Sequence, residues 1–398
     1  MPAPSSRISS ISPSGKDDWE VHFAAYKRKA AGEAILMLSV GDHDFPTPSE
    51  TVEACVKALH EGYHHYTQLP GLPRLREAMA RISTISTGVE TAASEILATG
   101  GGQGALFAAA QGVLDPGDHA IVAAPYYATY PGTFRSAGAT FTVLEASAED
   151  GFEPSAEALE AAVRPNTKAV LINSPNNPTG AVYSRETLEG IAEVCRRHDL
   201  WLLSDEVYWT HCSSDGGRKH ISPRGLPGMK ERTLVINSLS KSHGMTGWRI
   251  GWLTGPNDFI RTLINLNLVS TYGLNDFVSH AAIAALENDY GVKEIAAIYG
   301  ARRAAFLAEM RGLNEVVVRG SEGRMYVMLD IRAVDPDCER FAWRFLDAEK
   351  VAVMPGASFG EAAAGHIRVS LCQTEDKLRE AAARLRRFIA TYPAETNA

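Results

Sequence analysis

The chain has 398 residues, 45% of them hydrophobic, a formal net charge of -8 and a pI near 5.9. Its length and apolar content suit two or so domains of a soluble globular protein and exclude a small stapled module. The acidic balance, without any Lys/Arg-rich run, argues against nucleic acid as a main partner, because neutralising phosphates needs a basic face.

In chain order, the opening MPAPSSRISSISPSGKDDW is Ser/Pro-rich and lacks the apolar core of a signal peptide, and no apolar stretch of about 18 residues follows to span a membrane. ATGGGQGALFAAAQGVL (98–114) sets glycines at the start of an apolar helix. HAIVAAP (119–125), KAVLIN (168–173), LWLLSD (200–205) and TLVINS (233–238) read as strands, and ETLEGIAEVCRRHD (186–199) has apolar residues at helical spacing. DPGD, SPNNPTG and CSSDGGRKHISPRGLPG between them carry turn chemistry. From about 290 the texture changes to a long helix (292–310), then strands VVVR, MYVMLDIR and HIRVSL interleaved with two helices. No internal repeat is present.

The alternation of strand and helix predicts an α/β fold: a three-layer, mostly parallel sheet in a large domain at 51–289, beside a smaller α+β domain. Residues 290–398 form that smaller domain, with 1–50 supplying an N-terminal arm and part of it. The cysteines Cys55, Cys195, Cys212, Cys338 and Cys372 are odd in number, widely spaced and without a CxxC pair. That pattern suits core thiols in a reducing compartment and no metal framework, so the cytoplasm is the simplest location.

Open parallel sheets bind ligands at the carboxyl ends of their strands, and here those ends are polar. KAVLIN runs into Asn177, LWLLS into Asp205 and Tyr208, TLVIN into Ser238, Ser240 and Lys241, and AIVAA into Pro125 and Tyr127. A lysine ordinarily titrates near 10.4 and is a weak nucleophile, but desolvation lowers that value and makes it a Schiff-base former. Such lysines commonly carry a pyridoxal-type aldehyde, which needs a carboxylate at its ring nitrogen, donors to its phenolic oxygen and a phosphate cradle. Asp205 can serve the nitrogen, Asn177 and Tyr208 the oxygen, and Tyr127 a stacking face. The backbone of Gly102 and Gln103 at the helix start, with Ser238 and Arg249, can hold the phosphate.

With these residues in view, the chain from about 19 to 390 resembles the fold-type I, class I/II pyridoxal-5'-phosphate-dependent aminotransferases. The resemblance rests on GDHDFPTP (41–48), HHYTQLPGLPRLREAMA (64–80), GGQGAL (101–106), PYY (125–127), NPTG (177–180), DEVY (205–208), SLSKSHGMTGWRIGW (238–252) and HIRVS (366–370). Each motif alone is weak; their joint order, above all SxxK with an arginine eight positions on, is specific. The resemblance implies that Lys241 bonds the cofactor aldehyde and exchanges protons as general base and acid, with Asp205 and Tyr208 completing the catalytic set. It also implies that Gly102, Gln103, Tyr127, Asn177, Ser238 and Arg249 bind the cofactor, and that Tyr66 reaches the phosphate from the neighbouring subunit of a homodimer. Arg368 would grip the substrate α-carboxylate, with the Gly41 backbone and Asn177 beside it, a bidentate task that suits arginine better than lysine. The implied reaction is a ping-pong transfer of an amino group from an L-amino acid to a 2-oxo acid such as pyruvate, without metal, membrane or nucleic acid.

Finer matches, WEVH (19–22), LSVGDHDF (38–45), HDLWLLSDEVY (198–208), NSLSKSH (237–243) and AAGHIR (363–368), resemble the branch that contains the arginine–pyruvate transaminases. Departures concern the substrate side chain. His43 stands where proline is usual, Arg324 where this branch tends to have glycine, and INLNLVSTYGLND (264–276) lacks the arginine with which aspartate aminotransferases hold a distal carboxylate. Arg324 would replace that clamp only by pointing into the site. A basic substrate would want an acid at the mouth, and Asp42, Asp44, Glu20 and Asp276 are the candidates.

Other readings stand beside this one. C–S lyases and related eliminating enzymes share the fold and most of these residues. Aminotransferase-like sensing domains of transcription regulators follow a DNA-binding domain, for which the short segment before Trp19 leaves no room. GGGQGA loosely fits a dinucleotide fingerprint, yet the next strand ends in Ala-Pro where a ribose-binding acid belongs. His60, His64 and His65 have metal-like spacing without a carboxylate cluster and read as helix-end histidines; Tyr130, Trp19 and Trp248 read as packing.

Overall fold

A computed structural model describes residues 2, 5–11, 19–212, 217–320 and 322–392. The Ser/Pro-rich opening and the turn after Cys212 therefore lie partly outside the described residues.

Helix Glu20–Ala30 leads into a short strand, β1 (Leu36–Met37). The central layer then forms from β2 (Ile96–Thr99), β3 (His119–Ala123), β4 (Thr140–Leu144), β5 (Thr167–Asn173), β6 (Trp201–Asp205), β7 (Thr233–Ser238) and β8 (Gly251–Thr254), side by side in the order β2-β8-β7-β6-β5-β3-β4. Neighbours from β4 to β7 pair parallel, while β8 runs antiparallel between β2 and β7.

Why β5 to β7 read as unbroken apolar runs is clear from their surroundings. Ala120, Val122, Leu171, Leu203 and Ile236 face the helix Gly101–Val113 on one side. Ile121, Val170, Ile172 and Leu202 face Leu188, Ile191, Ala192 and Cys195 of the helix Arg185–Arg197 on the other. Both faces are covered, so alternation with polar residues is absent, as expected for a parallel sheet with helices above and below. The mostly parallel three-layer sheet is thus present, with β2, β4 and β8 added to the strands the sequence singled out.

The remaining strands, β9 (Val317–Arg319), β10 (Tyr326–Asp330), β11 (Val351–Ala352), β12 (Met354–Pro355) and β13 (His366–Ser370), lie apart from that sheet. β12-β13-β10-β9 form an antiparallel sheet, and β1 pairs parallel with β11. Val21, Ala25, Met37 and Leu38 share one core with Phe306, Phe341, Phe345 and Leu385, which ties the N-terminal segment to the helices Val292–Met310, Cys338–Glu349 and Glu375–Ala390.

All five cysteines are unpaired; Cys195, Cys338 and Cys372 are buried, but Cys55 and Cys212 are only half-buried, so the expectation of a core thiol fails at those two. No helix among the described residues is long and apolar enough to cross a membrane.

Candidate active site

The parallel register brings the polar strand ends together. Asn173 pairs with Asp205 across β5 and β6, and Asp205 with Ile236 across β6 and β7, just before Ser238 ends β7. Above them lies a cavity of about 320 Å³ lined by residues that include Gly41, Gly102, Gln103, Tyr127, Asn177, Asp205, Tyr208, Ser238, Lys241, Arg249 and Arg368. Every residue that the sequence assigned to the cofactor or the α-carboxylate lines it except Tyr66. That side chain is 85% exposed, stacked edge-on with Tyr272 at 5.1 Å on the outer surface.

Lys241 sits on a single helical turn, Leu239–Ser242, capped by Ser238, whose hydroxyl accepts from the Ser240 N–H. Its Nζ donates to the Gly41 carbonyl at 2.5 Å. Burial holds the amine below its ordinary value; the charges of Arg368 and Arg249 push the same way, against Cys372 and Asp42. An amine so placed is closer to its neutral, nucleophilic form than a surface lysine.

Asp205 is 8% exposed, and burial raises its carboxyl to about 6, with the Glu206 charge adding to the rise. Two donors oppose it: Tyr130 Oη at 2.7 Å on Oδ2 and the Val207 N–H at 3.2 Å on Oδ1. A carboxyl in so dry a place favours a cationic partner over water.

Behind the lysine, the helix Gly101–Val113 begins with Gly101, Gly102 and Gln103, first-turn residues whose N–H groups have no intrahelical acceptor. Arg249, held at φ +56° in the left-handed region, lays its guanidinium against this turn, Nη1 donating to Thr246 O at 2.6 Å. Gly101 has φ +82°, a left-handed conformation that favours glycine, and a Cβ there would displace the Arg249 guanidinium. Backbone N–H groups, a helix dipole and a guanidinium facing one point form an anion cradle. Ser238 closes its far side, its hydroxyl 2.9 Å from Ser240 Oγ and 3.1 Å from Ile250 O. Gln103 lines the cavity, but its amide bonds Thr133 and Thr129 at 3.2 and 2.9 Å, leaving its backbone as the cradle component.

On the opposite wall, Arg368 is 1% exposed and arrives from β13, the sheet outside the central layer. Nη1 donates to Asn177 Oδ1 at 2.8 Å, Nη2 to Ser39 O at 2.5 Å, and buried Nε has no hydrogen-bond partner among the described residues. Asn177 Nδ2 in turn donates to Tyr208 Oη at 3.3 Å, and Tyr208 Oη lies 3.1 Å from Tyr326 Oη. The Tyr326 ring lies 4.7 Å from the Arg368 guanidinium, closing a circuit of four side chains.

Several residues differ from expectation. Tyr130 and Trp19, read as packing, both line the cavity: Tyr130 bonds Asp205, and Trp19 stands edge-on to Tyr127 at 6.5 Å. A phenol at the start of helix Tyr130–Ser136 looks apolar in sequence, and only the fold sets it under β6. Trp248 stays outside this cavity, its indole N–H donating to Thr47 Oγ1 at 2.9 Å. Tyr326 and Asn173 were missed; Tyr326 gives a faint signal, two residues after Arg324 at the start of a strand whose Met328 pairs with Arg368.

Arg324 does not enter the cavity: its Nη1 donates to Ala296 O at 2.7 Å, on the helix Val292–Met310. His43 lies between Ser240 O at 3.0 Å and Tyr299 Oη at 2.9 Å, and burial followed by the Lys241 charge pushes it down to about 4, so its ring is neutral. Of the four acids, Asp42 alone lines the cavity; Asp44 is paired with Arg302 at 2.8 Å, Asp276 lies 3.6 Å from His280, and Glu20 is exposed.

A phosphorylated pyridine aldehyde fits this donor set: a desolvated amine, a dry carboxyl, an amide and a phenol, and an anion cradle surround one space. Residues 33–385 match the family described as aminotransferase class I and II. The chain is 42% identical to the arginine–pyruvate transaminase of Pseudomonas aeruginosa, over 94% of this chain and 95% of that protein. It is 38% identical to the aspartate/prephenate aminotransferase of Thermus thermophilus, over 97% and 98%. The fold superposes on Thermus thermophilus aspartate aminotransferase solved with maleate at a TM-score of 0.90 and 36% identity, over 97% of this chain and 100% of that one. For the Thermotoga maritima aspartate aminotransferase the TM-score is 0.91 at 32% identity, over 98% and 100%.

Proposed function

The chain belongs to the class I and II aminotransferases, pyridoxal-phosphate-dependent enzymes that act on amino acids and 2-oxo acids, and on that premise we propose that it moves the amino group of an L-amino acid to pyruvate. The observation that carries this reading is the meeting of Lys241, Asp205, Arg249 and Arg368 in one cavity, each in the environment its role requires. Pyruvate is favoured as acceptor by the likeness to the arginine–pyruvate transaminase and by Arg324, which bonds Ala296 O outside the cavity, so that among the described residues no guanidinium besides Arg249 and Arg368 lines it.

The bound cofactor supplies an electron-withdrawing pyridine ring that makes the substrate Cα proton removable. Around it, the Gly102 and Gln103 N–H groups, Ser238 and Arg249 hold the phosphate, and Tyr127 gives the ring a face to stack on. Asp205 keeps the ring nitrogen protonated, and Asn177 and Tyr208 hold the phenolic oxygen. Arg368 orients the α-carboxylate through a guanidinium already fixed by Asn177 and Ser39, so little ordering remains at binding. Lys241 Nζ, whose proton affinity burial lowers, would be the base that takes up the substrate Cα proton and the acid that gives it back. When not bonded to the aldehyde, that amine has the Gly41 carbonyl as its acceptor.

The reading includes a cytoplasmic homodimer, supported by five unpaired thiols and by Tyr63, Tyr66, Leu268, Val269 and Tyr272 exposed on the outer surface. It keeps the division into 51–289 and a smaller unit of the first fifty residues with 290–398, supported by the core they share. Incubation with single amino acids and pyruvate tests the reaction. Alanine and the matching 2-oxo acid should form together; ammonia released from one substrate without an acceptor would instead mark eliminating chemistry and contradict the proposal.

A further inference from the structure

Taking that reading of the cavity as given, its charged lining divides into four groups with a partner and one without. Lys241 meets the aldehyde, Arg249 the phosphate, Asp205 the ring nitrogen and Arg368 the α-carboxylate. The remaining charge is Asp42, the residue after the Gly41 carbonyl that receives the lysine amine. From this geometry we infer that Asp42 reads the donor side chain and selects amino acids whose side chain ends in a cation.

Asp42 stands where two spaces meet. Asp42, Thr246 and Arg249 line the inner cavity and also a larger chamber of about 880 Å³ beside it, so they mark the junction between the two. A side chain too long for the inner space would meet that junction. Arg249 faces inward to the helix start, which leaves the carboxylate as the charge met along the way.

Thr246 Oγ1 donates to Asp42 Oδ1 at 2.7 Å, fixing the carboxylate and leaving Oδ2 open. Its charge acts at a distance on Lys241 and His43, but among the described residues no Lys, Arg or His comes into ion-pair contact with it, in contrast to Asp44, which Arg302 occupies two residues on. A carboxylate fixed by one hydroxyl, with no cation in contact, is complementary to a guanidinium or ammonium arriving from solvent.

The walls fit the same class of ligand. Val40, Leu106 and Trp19 line the inner cavity and suit the methylene stem that separates the α-carbon of such a donor from its charge. Neutral side chains of similar length fill the same walls without gaining the ion pair, and a second carboxylate meets repulsion from Asp42. Selection therefore uses an attractive and a repulsive element together.

The test separates this inference from the reaction on which it rests. Binding of 5-guanidinopentanoate, which has a carboxylate and a guanidinium but no transferable amine, is compared with hexanoate by calorimetry on the cofactor-loaded protein, wild type and Asp42→Asn. The wild type should bind the guanidino acid at least tenfold tighter than hexanoate, and Asp42→Asn should remove most of that preference, with Asp42→Glu restoring part of it. In turnover, Asp42→Asn should lower the ratio of kcat/KM for arginine over alanine at least tenfold, chiefly through KM, because the pair forms alike in ground and transition states. Equal losses for both ligands and both donors would assign Asp42 to the lysine or the loop instead and overturn the inference; so would an unchanged preference, or none in the wild type. Guanidino-acid selectivity in a protein that transfers no amino group would keep the inference and remove the proposed reaction.

Discussion

The hydroxyl of Tyr130 donates to Oδ2 of Asp205 at 2.7 Å in a place where both side chains are buried. This bond favours the ionised carboxylate, against the burial that raises the carboxyl to about 6. Tyr130→Phe keeps the ring and removes the donor. A hydrogen bond to a charged group contributes about 1.5–3 kcal/mol, so the carboxyl should rise by roughly one unit or more. Because a rise of about one to two units cuts the ionised fraction at pH 7 from about nine-tenths to about one-half or one-tenth, cofactor affinity there should fall roughly two- to tenfold, and the deficit should shrink as pH rises and Asp205 ionises again. Dissociation constants for pyridoxal phosphate between pH 6 and 9 check this.

The same burial sets a pH dependence of folding before cofactor binds. Asp205 takes up its proton at about 6 in the folded chain, against 3.8 ordinarily. Between those values the folded state holds the extra proton, so stability falls as pH rises through that window and stays lower above it. Asp205→Asn should therefore stabilise the cofactor-free protein by on the order of 2 kcal/mol at pH 7.5 and by much less at pH 4.5. Urea titrations of the cofactor-free variant at the two pH values give the comparison. The loaded protein should show the opposite order, with the Asn variant binding cofactor poorly.

Arg368→Lys keeps the charge but not the planar fork. A lysine cannot replace Nη1 on Asn177, Nη2 on Ser39 and the third N–H together. Losing one charge-assisted bond of a bidentate pair should raise KM for amino acid and 2-oxo acid alike by about a hundredfold, equivalent to nearly 3 kcal/mol. Steady-state kinetics with several donors shows whether the loss is uniform, as a common α-carboxylate contact requires.

Gly101→Ala tests the cradle. Gly101 has φ +82°, and its new Cβ would meet Arg249 Nη2 at 2.3 Å. The left-handed backbone costs about 1–2 kcal/mol for a residue with a side chain, and the guanidinium must shift out of the cradle. The variant should fold yet lose cofactor on dialysis at least tenfold faster than the wild type. The readout is residual cofactor absorbance.

Reading the sequence worked best where chemistry and pattern coincide. LWLLSD shows its strand because both faces are covered, and the polar residue that stops the run, Asp205, is for that reason in the site. Gly251–Thr254 is as deeply buried, but four residues after a glycine-containing loop make too short a pattern to stand out. Thr140–Leu144 is an edge strand with Thr140 exposed, so it has little apolar contrast. Within the site, the charged side chains and Asn177 announced themselves, whereas Asn173, Tyr130, Trp19 and Tyr326 did not. An aromatic ring serves a core and a cavity wall equally well, and only the fold shows which. Among the four acids, sequence offered no means of choosing; placement on the loop after Gly41 separates Asp42 from Asp44, whose carboxylate turns to Arg302.

The central claim is that Lys241 holds the cofactor aldehyde and yields it to an amino donor. Borohydride reduction of the loaded protein, followed by peptide mapping, fixes the aldehyde to whichever lysine bears it. The account predicts a phosphopyridoxyl group on Lys241, absent when a good donor is added first without acceptor, and restored by pyruvate. Label on another lysine, or label on Lys241 undiminished by every amino acid tried, would contradict it.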